Sequence, residues 1–160
     1  MPRLRRAFEL SASDWFLIFQ SVFWFSVVEF GLRAFQFRVL VDFLHQERPL
    51  DQRAFCQQPT SAQRAAYCVE LVSRLHPLHP TCLKKALVLY ALLTRRGFDL
   101  RLFIGAAKTD ADKGKELNCH AWLEHQGQVI LGGQGHERYA PLCSLDRFQR
   151  LAYREGRVAS

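Results

Sequence analysis

The sequence predicts an α+β fold, with helices first and a small antiparallel sheet after them. Three observations carry this. Apolar residues recur at helical spacing up to Gly97. Beyond Gly97 the period changes to strand-like alternation. The short apolar runs that follow are separated by glycine-containing turns. With 160 residues, 49% of them apolar and 23% charged, the chain has enough material for one domain with a real core. Residues 1–160 read as a single domain, with a helical N-terminal part over 1–60 and a core over 61–153.

The first ten residues are basic and read as a lead-in. Ser11 or Ser13 is positioned to cap a helix starting near Asp14. Trp15 to Val28 is uncharged, but the bracketing Asp14 and Glu29 leave only fourteen residues. That is short of the roughly 20 apolar residues a membrane span needs, so a largely buried helix is expected there. A bend follows near Gly31 to Gln36, and helical pattern resumes over Phe37 to Leu44. His45 to Pro59 is polar and reads as a loop. Ala62 to Leu75 reads as an amphipathic helix with Ala65, Ala66, Val69, Val72 and Leu75 inward.

His76-Pro77-Leu78-His79-Pro80 is a rigid connector into the stretch that organises the chain, Thr81 to Gly97. Pro80 disfavours helix at His79. Thr81 has the hydroxyl of an N-cap, Leu83, Ala86, Leu87, Tyr90, Ala91 and Leu93 form an apolar stripe, and Arg95 and Arg96 suit the negative end of the dipole. Gly97 is the expected stop. Strands follow at Phe98 to Gly105, Cys119 to Glu124 and Gln128 to Leu131, with a turn at Gly127 and an edge strand near Arg138 to Leu142. Lys108 to Asn118 reads as a charged hairpin or loop, and Leu145 to Tyr153 as a terminal helical turn.

The net charge of +7 favours acidic partners in general. The basic residues are scattered, no RNA-binding signature occurs, and no nucleic-acid partner is expected. Five cysteines, an odd number, contain no Cys-x-x-Cys pair, which argues against a disulfide framework and for a reducing cytoplasm. His76, His79 and Cys82 match no standard zinc spacing, and Gly132-Gly-Gln-Gly135 lacks the helix and lysine of a phosphate loop. No metal and no cofactor is expected.

Cys82 sits at the first turn of its helix, where free N–H groups and the dipole favour a reactive thiolate. Such a nucleophile needs a base. His45, His76, His79, His125 and His136 lie in polar segments, beside prolines or near turns, and read as solvated or loop-shaping. His120 differs, because it lies inside a strand.

Thr81-Cys82-Leu83 running to Arg95-Arg96-Gly97, then a strand, then His120-Ala121-Trp122-Leu123-Glu124, resembles the transglutaminase-like cysteine peptidases. The nearest resemblance is to the leader peptidases of lasso-peptide biosynthesis, in the stand-alone form without a fused recognition domain. The hydrophobic N-terminal helices and the Tyr139-Ala-Pro-Leu142 ending extend it over nearly the whole chain. The resemblance implies a papain-like core in which Cys82 is nucleophile and His120 is base. Its substrate would be a ribosomal precursor peptide cut between leader and core. Its partners would be a separate leader-recognition protein and the ATP-dependent cyclase that acts on the freed core; membrane contact is not expected. The family's third catalytic residue, an aspartate about a dozen residues after the histidine, has no counterpart in Leu131-Gly132-Gly133. Glu137 is the preferred substitute, with Asp146 or a backbone carbonyl as alternatives. The absence also leaves room for an adaptor of the same fold without catalysis.

Overall fold

The computed structural model describes residues 11–44, 59–77, 79–108 and 117–144. Its elements are α1 (Ala12–Ala34), α2 (Phe37–Leu44), α3 (Pro59–Leu75), α4 (Cys82–Thr94), β1 (Leu100–Lys108), β2 (Leu117–His125), β3 (Gln128–Leu131), a short 3-10 turn (His136–Arg138) and β4 (Ala140–Ser144). This is the α+β class the sequence predicts. Cys56, Asp146, the expected Leu145–Tyr153 helical turn and most of the Lys108–Asn118 segment lie outside the described residues.

α1 starts where Ser11 and Asp14 meet. The Ser11 N–H and hydroxyl donate to Asp14 Oδ2 at 2.8 and 3.0 Å. Asp14 is buried and its carboxylate is gripped by Arg64 of α3 through two charge-assisted bonds. The helix runs on past Glu29, which is paired with Lys84 of α4 and with Arg33 one turn on, to the bend expected near Gly31 to Gln36. At 23 residues α1 is long and apolar enough to cross a membrane by length and composition. One side, including Leu17, Phe25 and Val28, enters the core; Phe16, Phe19, Phe23 and Phe30 on the other are exposed. At Phe35 the backbone turns extended and its N–H closes on Gly31 O at 2.9 Å. Gly31 admits α2 at close range: a Cβ there would lie 2.5 Å from Leu40 Cδ1.

α3 packs by small residues, Ala62, Ala65, Ala66, Cys68 and Val69, all buried. Leu75, expected inward, is 78% exposed, since it stands in the last turn where the chain leaves for the connector.

α4 is enclosed. It contacts α1, α2, α3, β1 and β2, and every residue from Ala86 to Thr94 is buried. The expected stripe is therefore a helix apolar all round, as a helix surrounded by neighbours must be. Its C-terminal end is pinned: Arg95 Nη1 donates to Ala91 O and Leu44 O, each at 3.2 Å, and its guanidinium lies 4.1 Å over the Trp24 ring. Arg96 donates instead to Gln20 Oε1 at 2.7 Å. Gly97, at φ 82°, reverses the chain as expected, with Phe98 N–H reaching Leu93 O at 3.1 Å.

The sheet is antiparallel in the order β3-β2-β1-β4. Gln126 and Gly127, both at positive φ, make the two-residue turn that joins β2 to β3. β1 starts two residues later and runs three further than expected. His125, expected near a turn and solvated, is buried: its Nδ1–H donates to Asp99 O at 2.8 Å and its ring meets Phe98 edge-on.

Two outcomes follow. Leu89→Ala, in the fully buried middle of α4, costs about 2–5 kcal/mol in urea denaturation, from lost burial and the cavity left behind. The Arg64 guanidinium, aided by Ser11 and opposed by burial, holds the Asp14 carboxyl well below the usual carboxylate range. A folded value below the unfolded one, near 4, contributes stability that is full above about pH 4 and lost as pH falls toward the folded value. Calorimetric melting should therefore decline with acid over that window in the native chain and decline less in Asp14→Asn.

Candidate active site

A cleft of about 650 Å³ opens between α3, the start of α4 and the β3 side of the sheet. Cys82 and His120 both line it. Four elements build it, β2 through His120 and Ala121. α3 supplies a polar wall through Gln63, Tyr67, Glu70 and Arg74; α4 supplies Cys82 and Lys85; the end of β3 and the following loop supply Val129 to Gln134. Lys85 Nζ meets Glu70 Oε2 at 3.3 Å, tying two walls together.

Cys82 is the first residue of α4 and is half-buried. Thr81 occupies the N-cap position, but its side chain makes no capping bond, contrary to expectation. The N–H groups of the first helical turn have no partner within the helix, so without a side-chain cap they are open to an anion. No acidic residue lies in that turn; Lys84 and Lys85 do. The remaining described cysteines are also free. Burial pushes the Cys68 thiol up, with the Asp14 carboxylate adding to it, and burial alone does the same at Cys143.

His120 is positioned by β2. Side chains alternate along a strand. Ala121 and Leu123 turn to the α4 core, while His120 shares the other face with Trp122. His120 nevertheless reaches the cleft because β3 is short. β3 pairs with β2 only at Leu123, Glu124 and His125, so at His120 the strand is bonded to β1 alone and its other edge is open. Around that edge the His120 Nε2–H donates to Gly132 O at 2.7 Å, the one hydrogen bond of the His120 side chain among the described residues. Trp122 stacks at 6.3 Å with planes 19° apart, and Tyr139 packs at 5.0 Å.

Glu137, expected to orient His120, is not among the cleft-lining residues. Its side chain is 75% exposed and its carboxylate lies 3.6 Å from His136 Nδ1. On the 3-10 turn after Gly135 it stands beside His136 instead. Sequence reading did not identify Tyr139 as a neighbour of His120, or Glu70 and Lys85 as cleft residues; nothing local marks them, since each depends on elements far apart in the chain.

The family profile described as Transglutaminase-like superfamily matches residues 25–144, from the middle of α1 to the end of β4. The chain belongs to this superfamily. No curated protein and no solved structure matches it. The match spans Cys82, His120 and the whole described sheet, so the cleft lies inside the transglutaminase-like domain. Superfamily members generally include cysteine peptidases and transglutaminases, which is the chemistry a cysteine at a helix mouth and a strand histidine suit.

In the folded chain, a thiol reagent at neutral pH should label Cys82 while Cys68, fully buried, reacts only on unfolding; peptide mapping by mass spectrometry reads the order.

Proposed function

We propose that this chain is a cysteine peptidase that removes the leader from a ribosomally made lasso-peptide precursor. The observation that carries the reading is that Cys82, at an uncapped helix start, and His120 line one cleft of a transglutaminase-like domain. Family membership supports the cysteine-peptidase class; the order and spacing of the Cys82 and His120 motifs support the leader-peptidase assignment.

The chemistry follows from the side chains. With Nε2 protonated and donating to Gly132 O, the lone pair of His120 is on Nδ1. Nδ1 takes the Cys82 proton, and the sulfur attacks the carbonyl carbon of the scissile peptide bond. The backbone N–H of Cys82 stabilises the oxyanion that forms. The imidazolium returns its proton to the leaving amine, which departs as the N-terminus of the core. The leader remains as a thioester on Cys82. Water, losing a proton to Nδ1, attacks the thioester, releasing the leader carboxylate and restoring the thiol. No cofactor is needed. In this proposal the partners are the precursor, a separate leader-recognition protein and the cyclase, and the compartment is the cytoplasm, where free cysteines persist.

A second reading is an adaptor of the same fold that binds precursor, recognition protein or cyclase without cutting. The absence of a carboxylate at Gly132 favours it.

Cys82→Ala and His120→Ala should each reduce precursor cleavage by at least about 10⁴-fold, followed by chromatography and mass spectrometry, while circular dichroism stays native. Cleavage surviving in Cys82→Ala, with the recognition partner present, refutes the peptidase. A native chain that binds precursor but never cuts it establishes the adaptor.

A further inference from the structure

The peptidase reading needs a group that orients the base, and the described residues place no carboxylate at His120. We propose that the main-chain carbonyl of Gly132 is the positioning group of His120, completing a Cys82–His120–carbonyl arrangement in place of a side-chain acid. The catalytic consequence rests on the peptidase reading; the structural part does not.

A carbonyl oxygen only accepts. At 2.7 Å from Gly132 O, Nε2 must carry the proton, so the neutral ring is held in one tautomer with Nδ1 free. Free imidazole interconverts between its tautomers, and a base in the wrong one cannot take a thiol proton. In serine proteases, replacing the triad aspartate by its amide costs about 10⁴-fold because the amide can stabilise the wrong tautomer. A carbonyl cannot make that error. What it lacks is the negative charge that stabilises an imidazolium.

The backbone at this point is built for the contact. Gly132 has φ 75°, a left-handed conformation that glycine adopts without strain, and a Cβ would lie 2.6 Å from Ala121 O and 3.1 Å from Trp122 Cα. The absence of a side chain lets the loop press against β2 one residue beyond His120. The same contact excludes an aspartate at this position unless the loop shifts. Trp122 and Tyr139 flank the ring and limit its rotation, so the Gly132 bond sets the remaining degree of freedom.

The test is a long-range ¹H–¹⁵N spectrum of the full-length labelled chain, with the His120 signals identified by their loss in His120→Gln. At a pH where the ring is neutral, the expected pattern is a single Nε2–H tautomer. An Nδ1–H tautomer, or averaging between the two as in free imidazole, overturns the proposal. In parallel, Gly132→Ala should move the carbonyl, restore tautomer averaging and lower kcat about a hundredfold with little change in KM, the scale of a roughly 1 Å misplacement. Glu137→Gln and Asp146→Asn should hold kcat within about twofold. A loss in either comparable to that of Gly132→Ala assigns the role to that carboxylate and overturns the proposal. If Gly132→Ala does not fold, the spectrum of the native chain still decides. If the native chain cleaves no precursor while its His120 is the fixed Nε2–H tautomer, the peptidase reading fails and the positioning contact stands.

Discussion

The enclosure of α4 is the constraint on which the rest of the molecule depends. A helix with no polar face from Ala86 to Thr94 is stable only if neighbours cover it on every side, and α1, α2, α3, β1 and β2 do so. Burial fixes its position, and the Arg95 bonds to the ends of α2 and α4 fix its far end. Only the first turn emerges. Cys82 is there, beside Lys84 and Lys85, whose ammonium groups are tied to Glu29 and Glu70 on the two flanking helices. The sulfur is thus held by the best-packed element of the fold while remaining open to the cleft. A reactive group carried by a rigid element needs little reorganisation to act.

The second determinant is the shortness of β3. A full-length neighbour would occupy the β2 edge at His120 and close that side of the strand. Because β3 ends at Leu131, the edge is open there and Gly132 turns its carbonyl to the imidazole. One truncated strand therefore gives the histidine access to the cleft and supplies its hydrogen-bond acceptor. Trp122 joins this arrangement to the sheet: its ring stacks on Phe103 of β1 at 5.4 Å and its Nε1–H donates to Glu124 at 3.1 Å.

α1 shows how local charge can mislead about whether a helix is long and apolar enough to span a membrane. Asp14 and Glu29 appear to bracket a short apolar run. Both carboxylates instead belong to the helix, one buried against Arg64 and the other paired with Lys84 and Arg33. Pairing compensates the charge of each carboxylate where it leaves water. The helix consequently presents two apolar sides. One completes the core around α4. The other carries four exposed phenylalanines and, with α2, borders an apolar groove lined by Phe30, Phe35, Val39 and Phe43.

What the sequence determined by itself is local: a helix starting at Cys82 and stopped by Gly97, a turn at Gly127, strand β3 to the residue, and the α+β order of elements. These follow from φ/ψ preference and apolar period within a few residues, and they put Cys82 at a helix start and His120 inside a strand; the family resemblance is what pairs the two. Only the tertiary structure decided the contacts between elements distant in the chain. Leu75 is exposed because α3 ends before it can pack; His125 is buried because Phe98 and Asp99 fold over it; Glu137 turns to His136; Gly132, a residue without a side chain, meets His120 through its backbone. A main-chain carbonyl is present at every residue, so no side-chain pattern marks the one that matters. Its role comes from where the fold brings it.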